Sequence, residues 1–428
     1  MLLTALRWLA LAAAAAPLVY YLAAVICALA FFRWRHEAAP DFCPPVSILK
    51  PMRGLDREAY QNLASLCRQQ YPNYELLICV DNANDAAIPV IRKLVADFPN
   101  VSIRLLIGSS ASGSNNKVNK LCRLAREARY DLLVASDSDI RVDRDYLSHV
   151  VAPFRDSSVG AVTCLYRGIA GSSVWSELED VALTSDFLPG VLVARKLGVK
   201  FLLGATMALR RQALDEIGGF EALADTAADD HELGSRIAAC GYRVEFAHTT
   251  VETECSSRSF ADFFRHRLRW AVVTRESRPW GHFGFLFAQG LPWTMIAAAF
   301  APSRFIAASY VAAYVVLRLG STFTVGVWGL RDSLLKKKCW LVFLSDTFGC
   351  VVWLTSLFAR RIVWQNTTYK VRNRRLVPIA SQEGGIEQRP DGGGGREART
   401  HTNKAGMSFR ISKRDSETLS AHKDCDKL

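Results

Sequence analysis

Two aspartates separated by one residue follow a central apolar run of the chain. The segment DLLVASDSDIR begins at Asp131, and its apolar part, Leu132–Ala135, predicts a strand that is buried on both faces. Asp137 and Asp139 then lie at the carboxyl end of that strand, where open α/β sheets bind their ligands. Two such carboxylates can reach one hard cation, but Asp and Ser also suit an ordinary turn. Alone, this segment predicts either a metal site or a turn.

Two further acidic sites occur in the same part of the chain. Asp81 directly follows the apolar run Leu77–Val80, and Asp229 and Asp230 precede the predicted helix Glu232–Ala239. An aspartate at the start of a helix often only caps it, so the last pair taken alone favours capping. Because all three sites are expected at one edge of a sheet, together they predict a metal, an anionic ligand and a general base.

A basic segment, RHRLRW, begins at Arg265 and predicts a helix. Arg265 and Arg269 are four residues apart and therefore share one face of that helix. Such a face contacts anionic lipid headgroups or clamps a diphosphate, whose oxygens match guanidinium groups. Trp270 packs against a sugar or nucleotide, or lies in the core or the membrane interface.

Alternating strands and helices are expected to position these residues. This alternation predicts βαβ units and a mainly parallel sheet. No G-x-G-x-x-G or P-loop sequence is present, which excludes an ordinary dinucleotide or ATP site. The predicted strands are Val46–Leu49, Leu76–Val80, Ile103–Ile107, Leu132–Ala135 and Val159–Leu165. The predicted helices are Glu58–Gln70, Ile88–Phe98, Lys117–Glu127, Tyr146–Phe154 and an interrupted region, Trp175–Leu197.

The composition is basic and apolar. The chain has 428 residues, a formal net charge of +12, and half of its residues are hydrophobic. A basic balance suits nucleic acid, anionic lipid or phosphorylated ligands, and the apolar stretches favour the latter two. The 11 cysteines are scattered and form no CxxC pair, which argues against a zinc site or a disulfide framework and fits a reducing compartment.

The first apolar stretch, Trp8–Phe32, contains no charged residue. It is long enough to cross a membrane, which takes roughly 20 helical residues. Since the apolar region of a signal peptide has about 7–15 residues, a retained anchor is favoured. Arg33 and Arg35 follow this stretch while Arg7 precedes it, which places the following residues in the cytoplasm.

Three apolar stretches follow the basic helix: His282–Ala301, Phe305–Trp328 and Cys339–Phe358. If all three crossed the membrane, the basic clusters Lys336–Lys338 and Arg360 with Arg361 would lie on opposite sides, which conflicts with the positive-inside rule. Either one stretch lies in the interface or re-enters, for example the first with its Gly290, or the chain ends outside. From Ser381 the chain is polar and predicts a disordered tail.

Taken together, the acidic and basic motifs resemble those of a known enzyme family. Their order resembles the D, D-x-D, D and (Q/R)-x-x-R-W pattern of membrane glycosyltransferases with the GT-A fold. The matching residues are, in order, Asp81, Asp137 with Asp139, Asp229 with Asp230, and His266 with Arg269 and Trp270. The chain resembles more specifically the ceramide glucosyltransferase family, in PVSILKP from Pro45, Gly54, SNNKVNKL from Ser114, GATM from Gly204, Trp364 and Tyr369. Bacterial hopanoid-linked N-acetylglucosaminyltransferases are similar in CLYRG from Cys164, FLP from Phe187 and VLVAR from Val191.

Two positions depart from the family pattern. His266 stands where the family has Gln or Arg, so a charged His266, or Arg265 and Arg267 beside it, would have to substitute. The first acidic residue of the pattern falls on Asp81 or Asp85, and Asp81 is preferred because it directly follows the strand.

The resemblance implies an inverting transfer of one sugar, glucose or N-acetylglucosamine, from a UDP-sugar to a hydroxyl of a membrane lipid such as ceramide or a hopanoid. A Mg²⁺ or Mn²⁺ would stabilise the leaving diphosphate. Asp139 is its first expected ligand, and Asp137 is expected to support the metal or the ribose. Asp230 is the expected general base, with Asp229 as the alternate.

The resemblance also implies residues that bind the donor. Arg269, with Arg265, Arg267 and Lys117, is expected beside the diphosphate. Asp81 is expected near the uracil, whose N–H a carboxylate can accept. His266 and Trp270 belong to the same predicted donor site.

The expected fold is α/β: a GT-A, Rossmann-like nucleotide-sugar domain with a mainly parallel sheet, an N-terminal transmembrane helix and C-terminal membrane helices. The expected bounds are 1–40 for the anchor, 41–275 for the GT-A domain, 276–380 for the membrane region and 381–428 for the tail. We expect an integral membrane protein with its catalytic domain on the cytoplasmic face. Its expected partners are the UDP-sugar, the lipid acceptor and the bilayer, but no nucleic acid.

Two alternatives compete with this function. A processive polysaccharide synthase shares the four-part motif pattern, but it usually needs a transmembrane channel and the Gln that His266 replaces. A non-catalytic membrane protein, such as a transporter or a scaffold with a degenerate nucleotide-sugar domain, is disfavoured by the intact acidic sites and by Arg269 with Trp270.

Overall fold

A computed structural model of the chain describes residues 1–33, 41–109, 113–364 and 367–379; the predicted polar tail falls outside them. The strands are β1 Val46–Pro51, β2 Tyr74–Val80, β3 Ser102–Ile107, β4 Leu132–Ala135, β5 Ile140–Arg141, β6 Val159–Ala170, β7 Met207–Arg210, β8 Arg243–Cys255, β9 Arg361–Trp364, β10 Thr367–Arg372 and β11 Arg375–Pro378. The helices are α1 Leu2–Ala14, α2 Ala16–Arg33, α3 Ala59–Cys67, α4 Ile88–Asp97, α5 Asn116–Glu127, α6 Tyr146–Val151, α7 Val174–Ala182, α8 Leu188–Lys196, α9 Arg211–Glu216, α10 Asp229–Ala239, α11 Phe260–Ser277, α12 Pro279–Gly284, α13 Gly290–Phe300, α14 Arg304–Thr322, α15 Ser333–Lys338 and α16 Leu341–Phe358.

Within the described residues, β1 to β8 form one sheet in the order β3-β2-β1-β4-β7-β6-β8-β5. The pairs of β1 with β2 and β4, of β2 with β3, and of β6 with β8 are parallel, while β7 and β5 run antiparallel to their neighbours. The register places Leu49 beside both Leu77 and Ala135, so β1, β2 and β4 end at the same edge. The predicted mainly parallel sheet is confirmed.

The central strands are apolar throughout because both faces of the sheet are covered. Successive side chains of a strand point to opposite faces. Ile48 and Val134 accordingly belong to the hydrophobic cluster on one face, whereas Leu49 and Leu133 belong to the cluster on the other. The first cluster includes residues of α3, α4 and α6, and the second includes residues of α5, α9 and α10.

All five predicted strands are present, and the predicted helices match α3 to α6 within a few residues. The predicted helical region from Trp175 is α7 and α8 joined by a π-helical segment, Leu183–Phe187. Sequence reasoning missed β5, β7 and β8. β8 mixes charged, hydroxyl and apolar residues because it is only partly buried, and this composition hides the apolar signal of a strand.

Among the described residues, three helical segments are long and apolar enough to cross a membrane: Thr4–Arg33, Arg304–Gly329 and Leu341–Phe358. A fourth candidate is the pair Pro279–Ala288 and Gly290–Phe300, which is bent by 51°. The predicted apolar stretches are therefore helical, and the stretch with Gly290 has the break expected of a broken span or a re-entrant segment.

The chain then returns to the α/β region in a small antiparallel sheet, β11-β10-β9. Leu376 N donates to Asp225 O at 2.8 Å and Ala227 N donates to Arg374 O at 2.9 Å. These strands were not predicted from the sequence, and they bring Trp364 and Tyr369 beside Leu268 and Val272 of α11.

Candidate active site

The first turn of α5 joins the three acidic sites. Asn115 caps the helix, because its side chain accepts hydrogen bonds from Lys117 N and Val118 N. This cap fixes the first turn, from which Asn116 and Lys117 extend. Asn115 Nδ2 also donates to Thr226 O at 2.8 Å and to Asp229 Oδ1 at 3.4 Å. The predicted convergence of acidic sites at one sheet edge thus has a physical basis in this one helix turn.

Lys117 lies between two of the acidic sites. Its Nζ is 2.8 Å from Asp137 Oδ1 and 3.1 Å from Asp229 Oδ2, although the geometry to Asp229 gives no hydrogen bond. Burial alone would lower the pKa of Lys117, but the carboxylates of Asp137, Asp229 and Asp230 raise it above the ordinary value. Lys117 therefore stays charged and holds the D-x-D turn and the start of α10 together.

Asp230 is held in a fixed orientation by two backbone groups. Its Oδ2 accepts from Gly204 N at 2.9 Å, and its Oδ1 accepts from His231 N at 2.7 Å. Burial, with Asp229 as the next contribution, raises the pKa of Asp230 to about 6. A carboxyl group that titrates near neutrality is suited to exchange a proton with a substrate.

Gly204 brings Asp137 and Asp230 close together. A Cβ atom at this position would lie 2.8 Å from Asp137 Oδ2, 3.3 Å from Lys117 Nζ and 3.5 Å from Asp230 Oδ2. The three charged groups therefore surround a single backbone position just before β7, and any larger residue there would displace at least one of them.

Asp139, the expected metal ligand, is half-buried beside β8. Its Oδ2 accepts from Thr253 Oγ1 at 2.8 Å. Burial, followed by the nearby charge of Asp137, raises the pKa of Asp139 to about 6. A bound cation would offset this unfavourable placement of two neighbouring carboxylates, and carboxylate oxygens are the ligands that Mg²⁺ and Mn²⁺ prefer.

The protein alone offers an incomplete ligand set. Across the described ranges, no group of three or more His, Cys, Asp or Glu side chains is arranged to hold a metal ion. Mg²⁺ commonly takes one or two carboxylates together with substrate phosphates and water. Asp137 and Asp139 fit that kind of site.

Lys50, at the end of β1, was not predicted as a site residue. It donates to Ser136 Oγ at 3.1 Å and also to the backbone oxygen of Asp137. Burial lowers the pKa of Lys50 to about 8, although the negative charges of Asp139 and Asp137 act to raise it. The available signal was a lysine directly after the predicted strand Val46–Leu49, because a charged residue next to a buried strand needs a partner.

Asp81 occupies the neighbouring position at the edge of the sheet. Its Oδ1 is 2.7 Å from Lys120 Nζ, and its Oδ2 accepts from Asn116 Nδ2 at 3.1 Å, so α5 also holds this site. Asp85, the alternative, accepts instead from Gly54 N at 3.1 Å, in the loop after β1, and from Ala87 N at 2.9 Å within its own loop.

The arginines of α11 point in different directions. Arg265 is 2.6 Å from Asp262 on the exposed side of the helix, and Arg267 Nη2 is 3.3 Å from Asp186 Oδ2. The Arg269 guanidinium lies 5.8 Å from the centre of the Trp364 ring. Burial lowers the pKa of Arg269, while the charges of Asp137, Glu179 and Asp139 counteract this effect, so Arg269 is the arginine of the segment that lies near the acidic site.

His266 and Trp270 pack into the protein. His266 Nδ1 is hydrogen-bonded to Glu179 Oε1, and its ring meets that of Trp270 edge to face at 5.5 Å. Trp270 also meets Phe187 edge to face at 5.3 Å. The predicted donor-site role of these two residues stays a prediction.

Tyr166 is a further residue that sequence reasoning did not assign to the site. It is buried in β6, and burial followed by the charges of Asp230, Asp137 and Asp139 raises its pKa well above the ordinary value. Its hydroxyl therefore stays neutral beside the carboxylates. Only its position in the segment CLYRG drew attention to it.

Comparison with known proteins assigns a family to the chain. The family model described as "Glycosyl transferase family 21" matches residues 9–377. Ceramide glucosyltransferase 1 of Caenorhabditis elegans is 29% identical over 250 residues, which are 58% of this chain and 54% of that protein. A ceramide glucosyltransferase of Komagataella phaffii is 37% identical over 110 residues, which are 25% of this chain and 22% of that protein. The chain thus spans about half, or less, of the length of these curated relatives.

A solved structure shares the fold. The mannosyltransferase from Pyrobaculum calidifontis in complex with GDP-Man and Mn²⁺ has a TM-score of 0.52 and 20% sequence identity, over 82% of this chain and 99% of that chain. At this identity the likeness concerns the fold, and it confirms the predicted GT-A-like arrangement of the sheet.

Proposed function

Because the chain belongs to glycosyl transferase family 21, we propose that it transfers a single sugar from a UDP-sugar to a hydroxyl group of a membrane lipid, with inversion at the sugar carbon. The observation that carries this proposal is the placement of Asp137 and Asp230 close to one position at Gly204, with Lys117 between the acidic segments. This arrangement supports the proposal that one substrate contacts both a carboxylate that binds the donor and a general base.

Asp230 is the proposed general base. It accepts the proton of the lipid hydroxyl while the hydroxyl oxygen forms a bond to the anomeric carbon, on the face opposite the departing UDP. Its raised pKa, about 6, leaves it mostly ionised at neutral pH yet basic enough to take the proton. Asp229, paired with Lys117, is the alternate.

Asp139 and Asp137 are the proposed ligands of a divalent cation, Mg²⁺ or Mn²⁺, which would stabilise the charge that develops on the diphosphate. Arg269 is the proposed cationic neighbour of the same phosphates because it lies near Asp137 and Asp139. Arg265, Arg267 and Lys117 stay secondary candidates, since each already pairs with a carboxylate. Asp81 is proposed to bind the uracil, with Lys120 and Asn116 holding it in place.

The acceptor is proposed to reach the site from the bilayer. The helices that could cross a membrane flank the α/β region in the chain, and a lipid hydroxyl does not leave the interface. Ceramide or a hopanoid is the proposed acceptor class, with glucose or N-acetylglucosamine as the sugar. We also propose the bounds 1–40, 41–275 and 276–380 for the anchor, catalytic domain and membrane region, with the catalytic domain in the cytoplasm.

An assay of the full purified chain tests this function. UDP-glucose or UDP-N-acetylglucosamine is supplied with ceramide or a hopanoid and a divalent cation, and mass spectrometry of the lipids identifies the product. A hexosyl lipid that forms only with metal present supports the proposal. Release of UDP without any lipid product would indicate hydrolysis of the UDP-sugar instead of transfer to a lipid. No release of UDP at all would contradict the proposed enzymatic function.

The metal ligands are tested by donor binding. Asp139→Ala is expected to lose the metal-dependent part of UDP-sugar binding. Asp131→Ala is the matched control, because Asp131 lies at the opposite end of β4 and its side chain is 92% exposed. Unchanged metal-dependent affinity in Asp139→Ala would contradict the assignment, and a loss in both variants would indicate a general effect on the strand.

A further inference from the structure

A polar cavity lies where the N-terminal candidate membrane helix meets the α/β region. It has a volume of about 290 Å³ and lies between the end of α2, the end of α8 and the middle of β8. This volume is near the lower end of the range for small-molecule pockets, about 300–1,000 Å³. The lining residues are Cys27, Ala30, Phe31, Leu192, Arg195, Lys196 and His248, and none of them belongs to the candidate active site.

The polar part of this lining is basic. Arg195, Lys196 and His248 supply it, and among the described residues that line the cavity none is acidic. The Arg195 guanidinium lies over the rings of Phe31 at 5.3 Å and Phe246 at 5.6 Å. These two rings hold the arginine in place, so its charge at the cavity is preorganised.

An irregularity in β8 turns His248 toward this cavity. In the parallel pairing of β6 with β8, Cys164 lies beside Ala247 but Leu165 lies beside Thr250, so the register shifts at His248 and Thr249. Bulges of this kind redirect a side chain. Here the His248 ring stacks on the Phe31 ring with 4.6 Å between their centres and an angle of 16°.

The cavity lies beside the end of the N-terminal candidate membrane helix. Cys27, Ala30 and Phe31 belong to the last two turns of the candidate span that ends at Arg33. A basic pocket beside the end of a membrane helix is the arrangement that binds phosphorylated lipid headgroups.

We propose that this cavity binds the phosphate group of an anionic membrane lipid, with Arg195 and Lys196 as the main contacts and His248 as a third. The apolar residues Cys27, Ala30 and Leu192 also line the cavity. In this proposal they contact the glycerol part of the lipid, which extends from the phosphate along α2. This site is separate from sugar transfer and does not depend on the proposed function.

Binding of short-chain lipids to the full chain in a neutral detergent tests this site, with native mass spectrometry as the readout. Dioctanoyl phosphatidic acid is the probe, dioctanoyl phosphatidylcholine is the zwitterionic control, and inorganic phosphate tests a soluble source. The double variant Arg195→Gln/Lys196→Gln is expected to bind phosphatidic acid about 30-fold more weakly, and Lys196→Gln alone about fivefold more weakly. The single variant keeps the packing of Arg195 intact.

The matched control removes an adjacent Arg–Lys pair elsewhere. Arg92→Gln/Lys93→Gln lies on the exposed face of α4 and is expected to bind the probe as the unaltered chain does. An equal loss in this control would show a bulk charge effect and overturn the site. Phosphatidylcholine binding as tightly as phosphatidic acid, or inorganic phosphate binding as tightly through Arg195 and Lys196, would likewise overturn a lipid-phosphate site.

Discussion

The orientation of Asp230 decides what it can do. Each of its carboxylate oxygens accepts one backbone N–H, from Gly204 or His231, and keeps a further lone pair for a substrate proton. Asp230→Asn keeps the size of the side chain but removes its basicity. Turnover is expected to fall by about 10²–10⁴-fold, while UDP binding, measured by calorimetry, stays within a few-fold. Retained turnover would exclude Asp230 as the base.

The acid limb of the pH–rate profile should report the same carboxylate. The base acts in its ionised form, so kcat/KM is expected to be level above neutrality and to fall as the pH is lowered through about 6. Asp229 contributes to this raised pKa, after burial. Asp229→Asn is therefore expected to remain active with its acid limb at lower pH, and complete inactivity would instead identify Asp229 as the base.

Gly204 offers a test that leaves every charged residue in place. A Cβ atom there would lie 2.8 Å from Asp137 Oδ2, closer than carbon and oxygen atoms pack, so Asp137 must move. Gly204→Ala is expected to raise the KM for the UDP-sugar or to lower kcat, by about 10- to 100-fold in kcat/KM, because small displacements at a site are costly.

Gly320→Ala is the matched control for this substitution. A Cβ atom at Gly320 in α14 would meet no atom within 4 Å outside its own helix, so the kinetics are expected to be unchanged. An unaltered kcat/KM in Gly204→Ala would show that the reaction does not depend on the position of Asp137 seen in the structure.

At the scale of elements, strand ends were predictable but their connection was not. The apolar runs before Asp81 and Asp137 show where two strands end, and the parallel pattern places these ends at one edge. The position of Lys117 depends on how α5 crosses that edge, which is a tertiary property with no local signal. Lys50 and Tyr166 were overlooked because each lies within a strand and its partners come from neighbouring segments across the sheet.

The segment around α11 shows the same limit. Spacing placed Arg265 and Arg269 on one helix face, but Arg265 pairs with Asp262 at the exposed end. Arg269 is instead positioned by Trp364, which comes from a strand that the sequence did not predict. Composition alone cannot show which of several arginines contacts a site when distant segments provide the neighbours.

A buried ionic cluster links two candidate membrane helices to the α/β region. Arg318 of α14 is 2.6 Å from Asp346 of α16 and is also hydrogen-bonded to Asp186, in the π-helical segment between α7 and α8. Tyr314 donates to Asp346 at 2.6 Å, and Arg267 of α11 is 3.3 Å from Asp186. One arginine in an apolar helix thus contacts two other elements directly, and Asp186 links a third, α11, to the same cluster.

Breaking this cluster should destabilise the protein. Asp346→Asn leaves the buried Arg318 charge with fewer partners, which typically costs about 3–5 kcal/mol. We expect a clearly lower midpoint of thermal unfolding in detergent. Glu221→Gln is the control, since the Arg126–Glu221 pair is 59% and 40% exposed and such pairs contribute about 0–1 kcal/mol. Equal midpoints for the two variants would contradict a stabilising role for the buried pair.

At the scale of the whole molecule, both ends of α16 contact the α/β region. Before the helix, Lys338 Nζ is 2.6 Å from Glu177 of α7. After it, Arg275 of α11 donates to Ala359 O at 3.0 Å, and the following strands bond to Asp225 and Ala227. The basic clusters on the two sides of α16 therefore lie on the same body of the protein.

The faces of α16 agree with this position. Ser345, Gly349 and Val352 are buried within the protein, whereas Val351 and Leu354 are about half exposed and Phe358 is 81% exposed. A helix with one protein-covered face and one exposed apolar face suits the plane of the membrane interface. The length and apolarity of α16 are also those of a membrane span. The sequence alone therefore could not decide why basic clusters lie on both sides of this helix.

We therefore expect α16 to lie along the membrane surface rather than to cross it. The test uses Cys339, which is exposed just before α16, and Lys370→Cys, an exposed position after it in β10. Exposed Cys240 marks the catalytic side, and buried Cys79 is the unreactive control.

A membrane-impermeant maleimide applied to sealed inside-out vesicles should modify Cys240, Cys339 and the cysteine at position 370, as read by peptide mass spectrometry. Right-side-out vesicles should leave all three unmodified if, as the positive-inside rule predicts, these basic segments lie in the cytoplasm. Labelling of position 370 and Cys339 from opposite sides would show that α16 crosses the bilayer, and its contacts with α11 would then have to form within the membrane.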